Sequence, residues 1–157
     1  MLLRHAQAQP ESEQSGDFER QLTAQGEAEA NAVGLRIASL GAPDVILASP
    51  AERTRRTASI VAHACGMSTA LIRFEPSLYL AGPDAIWAQI ARRPAAETVV
   101  LICGHNPGLS QLACRLGTNS ERVDLPTTGL IGGAWPHGEW NTVRPEAAAR
   151  CALVEVG

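Results

Sequence analysis

A chain of 157 residues with 45% hydrophobic and 18% charged side chains fits one domain able to bury roughly 70% of its unfolded surface, and lies outside the composition of disordered chains. A formal net charge of -3 excludes the broad basic face that nucleic-acid backbones require, so any attraction for phosphate is local. With no apolar stretch near the ~18 residues of a bilayer span and no basic-then-apolar leader visible, a cytoplasmic protein is expected.

Apolar runs of strand length alternate with helix-period segments, the pattern of a sheet covered by helices on both faces. Met1 to Leu3 makes a first strand ending at Arg4 and His5; it is shorter than a central strand ordinarily is, and a truncated or misassigned start is the expected reason. Ala8 to Arg20 is polar and reads as a surface loop, after which Thr23 caps a helix through about Leu40 with Ala30, Val33, Ile37 and Leu40 as its buried stripe. Asp44 to Ala48 is a strand ending at Ser49, with Pro50 at the first position of a helix that runs to about Ala64. Ala70 to Phe74 is a third strand and Pro83 to Arg92 a helix stopped by Pro94. Thr98 to Cys103 has no polar alternation and reads as a strand buried on both faces, ending at Gly104 and His105. A short helix follows through Leu109, Leu112, Ala113 and Leu116, with Gly117 as its terminator. Gly129 to Trp135, Glu139 to Val143 and Arg150 to Val156 then form an antiparallel addition, turning at Pro136 to Gly138 and around Pro145. The expected fold is a three-layer α/β/α sandwich with a mostly parallel central sheet and antiparallel C-terminal strands.

Reactive residues stand at three strand ends: Arg4 and His5, Ser49 with Arg53 beyond it, and His105. In open α/β sheets ligands bind outside the carboxyl ends of the strands, so these groups can converge although they are far apart in sequence. Guanidinium groups present rigid paired donors that suit a tetrahedral dianion, and an imidazole among cations has a lowered pKa that keeps it neutral and nucleophilic. Arg55 and Arg56 neighbour Arg53 on the helix but point elsewhere, into solvent. Cys65, Cys103, Cys114 and Cys151 are widely spaced and lack a CxxC pair, so they read as buried free thiols; His63 and His137 receive no role.

Leu3-Arg4-His5-Ala6, Ser49-Pro50-Ala51-Glu52-Arg53-Thr54 through Thr57-Ala58, and Gly104-His105-Asn106-Pro107 resemble, in order and spacing, the signatures of the histidine phosphatase superfamily, whose fold is phosphoglycerate mutase-like. Arg20-Gln21-Leu22-Thr23 to Gly26 and Leu125 to Leu130 extend the resemblance over nearly the whole chain, toward the small SixA-type phosphohistidine phosphatases. It implies one histidine phosphatase domain over 1–157 without a cap insertion. His5 would accept the phosphoryl group, Arg4 and Arg53 would hold its oxygens, His105 would donate to it, and Arg20 would stand near the pocket mouth. Ala6 stands where glycine is common after the first histidine, as in SixA-like members.

The implied reaction transfers phosphate to His5 and then to water, with no metal and no cofactor. Larger members place a carboxylic acid after the third strand, and Glu75 is the carboxylate available there. Without such an acid the leaving group must be an easy one. Imidazole, with a conjugate-acid pKa of about 6.5, qualifies where an alkoxide does not. The expected partner is therefore a protein carrying phosphohistidine. The alternatives are a small phosphorylated metabolite, such as a sugar or nucleotide phosphate, with Glu75 as acid, or a non-catalytic phosphate-binding module. A zinc site is disfavoured by the neighbouring arginines and by the lack of a ligand pair at metal spacing.

Overall fold

The protein's structure, a computed structural model, describes residues 1–11, 16–116, 123–136 and 138–154, the last five by their backbone. The strands β1 (Leu2–Arg4), β2 (Val45–Ala48), β3 (Ile72–Phe74), β4 (Val100–Gly104), β5 (Leu130–Ala134) and β6 (Ala149–Val154) form one sheet in the order β3-β2-β4-β1-β5-β6. The first four of that order run parallel, while β5 and β6 are antiparallel additions on the β1 side. The expected three-layer sandwich is the observed one.

Alternation along β4 shows why its sequence is apolar throughout. Val100 and Ile102 face a cluster with α3 (Pro83–Ala91) and α4 (Gly108–Arg115), whereas Leu101 and Cys103 face α1 (Ala24–Leu40) and α2 (Glu52–Ala64). Both faces are covered, so no position on the strand can be polar without a partner. Thr23 caps α1 as expected, its hydroxyl accepting from the Gly26 N–H at 3.0 Å.

Several expectations are corrected. Leu40 is 53% exposed because it is the last residue of α1, beyond the stretch that lies on α2, so the buried stripe ends at Ile37. Pro50 precedes the cap of α2: Ala51 keeps an extended ψ of 144°, and the helix begins at Glu52. Glu139 to Val143 is no strand. Its backbone turns about the Glu139 carbonyl, which accepts from the Thr142 and Val143 N–H groups at 2.9 and 3.3 Å. Trp140 instead donates its indole N–H to Glu97 O at 2.6 Å and packs edge-on against Trp135, so the aromatic and β-branched composition there reflects packing and not a sheet ladder. Ala70 and Leu71 belong to a 3-10 turn before β3. Cys103 is buried and Cys65 and Cys114 are half-buried, all three as free thiols; the Cys151 side chain, Gly117 and His137 lie outside the described residues.

The register positions the ends that matter. Arg4 pairs with Gly104 across β1 and β4, so His5 and His105 are the next residues on neighbouring strands; Ala48 pairs with Cys103, and the Ser49 N–H continues the ladder to Cys103 O at 3.1 Å. Gly26, in the first turn of α1, lies directly on the backbone of Gln7, two residues past His5, where an added Cβ would meet the Gln7 carbonyl. Helix propensity alone predicts that Gly26→Ala stabilises by about 1 kcal/mol. The contact reverses the sign: Gly26→Ala is expected to destabilise by about 1–3 kcal/mol, read as a lowered midpoint in thermal unfolding.

Candidate active site

Five residues singled out in the sequence meet in one cleft of about 300 Å³ at the carboxyl ends of β1 and β4: Arg4, His5, Arg20, Arg53 and His105. Glu75 is not among the residues lining it; its backbone N–H extends the β2–β3 ladder to Ala48 O at 2.9 Å, and it stands before a 3-10 turn. Arg55 and Arg56 are exposed, Arg55 stacked 4.1 Å above the Phe74 ring and Arg56 paired with Glu27 at 2.6 Å. A hollow of about 350 Å³ at the opposite ends of β1 and β4 is walled chiefly by Trp87, Trp135, Trp140 and aliphatic side chains, which suit no dianion.

His5 is held from several sides. Its backbone N–H donates to Gly104 O and its carbonyl accepts from Thr128, whose left-handed φ of 56° marks the turn that clamps the strand end. The next residue, Ala6, is fully buried and donates its N–H to the Thr57 hydroxyl at 3.1 Å, tying β1 to α2. Within the ring, Nδ1 lies 2.8 Å from Ala6 O; a carbonyl only accepts, so the proton sits on Nδ1 and Nε2 carries a free lone pair. That lone pair accepts from Arg53 Nε at 3.3 Å. Burial, reinforced by the charges of Arg53, Arg4 and Arg20, pushes the His5 pKa down to about 4, so the ring is neutral near pH 7.

Arg53 is 2% exposed and organises the site through two edges. The edge formed by Nε and Nη2 faces the histidines, with Nη2 3.2 Å from His105 Nδ1. The terminal pair Nη1 and Nη2 donates to the backbone and side-chain oxygens of Asp17, the side-chain contact being 2.8 Å. Asp17 also accepts from Arg20 at 3.1 Å and from the Tyr79 hydroxyl at 2.8 Å. Burial pushes this carboxyl up, but the hydrogen bonds from Tyr79, Arg53 and Arg20 outweigh it and hold its pKa at about 2. His105 is 3% exposed, and burial, then Arg53 and His5, bring its pKa to about 3. Its Nε2 lies 2.8 Å from the fully buried Ser49 hydroxyl. Arg4 donates Nη1 to Leu125 O at 2.8 Å, and its buried Nε has no partner among the described residues.

Sequence reasoning missed Asp17 and Tyr79. Asp17 falls in the polar segment read as a surface loop, and its spacing of three from Arg20 is the one local signal that pairs them. The hydroxyl of the chain's single tyrosine reaches the site only through tertiary packing, edge-on to both His105 and Phe18. Among the described residues no cluster of His, Cys, Asp and Glu could hold a metal ion, and no helix is long and apolar enough to cross a membrane.

Comparison with known proteins bears on the family and the fold. Residues 1–78 match the model of the histidine phosphatase superfamily, branch 1. An uncharacterized protein of Mycobacterium tuberculosis is 36% identical over 94% of this chain and 95% of its own length. The crystal structure of an Agrobacterium tumefaciens protein named as a phosphohistidine phosphatase, SixA, superposes with a TM-score of 0.70 at 30% identity, covering 83% of this chain and 86% of that one. The protein histidine phosphatase SixA complexed with tungstate superposes with a TM-score of 0.80 over 99% of this chain and 95% of that one; at 17% identity this likeness shows the fold. The matching family model, the SixA relative and the shared fold together place this chain in the histidine phosphatase superfamily, as a phosphatase acting on phosphorylated substrates.

Proposed function

We propose that the chain removes phosphate from phosphohistidine on a protein, through a phosphohistidine intermediate on His5. The observation that carries this reading is the His5 ring itself: Nδ1–H is committed to Ala6 O, and the Nε2 lone pair faces the Nε–Nη2 edge of Arg53 with His105 beside it. In the first step His5 Nε2 attacks phosphorus in a substrate ring whose other nitrogen has taken a proton from solvent, the P–N bond to that ring breaks, and the bonding pair leaves on a neutral imidazole. Water then attacks the same phosphorus, the P–Nε2 bond breaks, and His5 recovers its lone pair while the water's proton passes to solvent.

Phosphoryl transfer requires in-line placement and charge stabilisation more than covalent assistance. Arg53 presents two parallel donors between the histidines, Arg4 lines the cleft with an Nε that has no partner among the described residues, and His105 stands next to the attacking atom. Arg20 acts at the rim, fixed by Gln9 O at 2.6 Å and by Asp17.

The leaving group supports phosphohistidine over an alkyl ester. Asp17 is the carboxylate lining the cleft among the described residues, and at a pKa of about 2 it has no proton to give near pH 7. Glu75 is outside the lining. A substrate ring protonated by solvent at its other nitrogen departs as neutral imidazole without a donor from the protein, whereas an alkoxide does not. The SixA names among the structural relatives are compatible with the same choice.

Rapid-quench trapping with a ³²P-phosphohistidine protein is expected to label wild-type chain at His5 with an acid-labile, base-stable phosphate. The His5→Ala variant should carry no label, and Glu75→Gln should turn over at the wild-type rate. Faster turnover of an alkyl phosphate, with a loss confined to that substrate in Glu75→Gln, would replace this reading with the small-molecule one; labelling at any other residue would refute it.

A second expectation concerns Asp17, which locks the terminal edge of Arg53. Asp17→Ala should lower kcat roughly 100-fold, the usual consequence of misplacing a positioning group, and should also lower the thermal unfolding midpoint because the buried Arg53 loses its carboxylate partner; kcat is therefore compared well below that midpoint. An unchanged kcat would deny it that function.

A further inference from the structure

His105 stands between two partners that make opposite demands. Its Nδ1 is 3.2 Å from Arg53 Nη2, and a guanidinium only donates, so at rest Nδ1 carries the lone pair. The ring proton is therefore on Nε2, which donates to Ser49 Oγ at 2.8 Å. Ser49 Oγ also accepts from the Ala51 N–H at 3.4 Å. In that arrangement its own hydroxyl hydrogen has no acceptor among the described residues.

Under the reaction proposed above, on which this inference rests, the demand at Nδ1 reverses. A phosphoryl oxygen held on the Nε–Nη2 edge of Arg53 only accepts, so His105 must present Nδ1–H to it. The Nε2 lone pair is then left against Ser49 in a place without solvent: Ser49 is 0% and His105 3% exposed. Protonating the ring twice would meet both demands, but it would put an imidazolium next to the Arg53 guanidinium in a buried site, which burial and like charge oppose. A hydroxyl resolves the conflict because it can both accept and donate.

We infer that Ser49 is a tautomer relay for His105: its hydroxyl accepts from Nε2–H when the cleft holds no anion, and turns to donate to Nε2 when a tetrahedral oxyanion binds, so that His105 stays neutral and offers Nδ1–H. The exchange is balanced. Nδ1 takes one proton from water in the cleft, Nε2 gives up one when the buried contact opens transiently to water, and the hydroxyl keeps its hydrogen throughout. The turn also gives the Ser49 hydrogen the partner it lacks at rest. Ser49 acts through His105 and is a positioning residue; arginine or lysine in its place could only donate and a carbonyl could only accept, so neither could serve both states.

Imidazole ¹⁵N–¹H correlation spectra of the full chain at pH 7, with and without saturating tungstate as a non-hydrolysable tetrahedral dianion, read this directly. His105 is assigned by its disappearance in His105→Gln. The expected result is a neutral Nε2–H ring alone and a neutral Nδ1–H ring with tungstate. In Ser49→Ala the tungstate-bound ring should lose that single-tautomer signature. Tungstate that moves the His5 signals while His105 keeps Nε2–H, or becomes doubly protonated, overturns the relay and leaves the proposed reaction standing. A clean change to Nδ1–H in Ser49→Ala overturns the part played by the hydroxyl. Tungstate that moves neither ring removes the anion site, and the relay with it. The wild-type spectra decide the change of tautomer by themselves; should Ser49→Ala fail to fold, Ser49→Cys, whose thiol is only a weak donor, replaces it, and a clean change to Nδ1–H in that variant overturns the part played by the hydroxyl.

Discussion

The site depends on one contact, the 3.3 Å approach of Arg53 Nε to the lone pair of His5 Nε2. Burial to 8% exposure disfavours a charge on this imidazole, and the guanidinium pressed against it adds to the same effect. The ring answers by giving its proton to the Ala6 carbonyl side and keeping its lone pair toward the cleft. Much of the fold serves this contact. The β1–β4 register sets His5 beside His105, the Thr57 hydroxyl draws the residue after His5 toward α2, and Arg53 stands in the first turn of that helix.

Charge in the cleft is matched to its ligand class. Three guanidiniums, from Arg4, Arg20 and Arg53, face one carboxylate, from Asp17, and leave two positive charges unbalanced. A phosphoryl group carries about -1.5 to -2 near neutral pH. Asp17 thus does two things with one side chain: it trims the excess charge and fixes the plane of Arg53 so that the Nε–Nη2 edge faces the histidines. The arrangement is local, since the chain as a whole carries a net charge of -3.

How much of this was legible beforehand follows from which forces act along the chain and which act across it. The β4 run and the buried face of α1 as far as Ile37 were readable because burial on a sheet leaves a periodic mark on sequence. The convergence of Arg4, His5, Arg53 and His105 was readable because strand ends in a parallel sheet share one edge. Asp17 and Tyr79 left no such mark: each joins the site through a contact between residues distant in sequence, and Asp17 sits in a segment with no periodicity. The Trp140 segment misled for the related reason that strand-forming residue types also fill a core from a turn. Pro50 shows a finer limit, since its fixed φ is compatible both with the first helical position and with the extended approach that Ala51 continues.

A neutral nucleophile at physiological pH is the claim everything else requires. The sign is simple: a folded-state pKa of about 4 for His5 means the lone pair is available above that pH, whereas an ordinary imidazole would be half protonated near 6.5. The direct measurement is an NMR titration of the His5 ring in the ligand-free protein, assigned by its loss in His5→Asn. No protonation step should occur between pH 8 and pH 5, with the onset only as pH nears 4. A midpoint near 6.5 would contradict the account, because a ring that charges so readily cannot be packed against Arg53 as the structure describes.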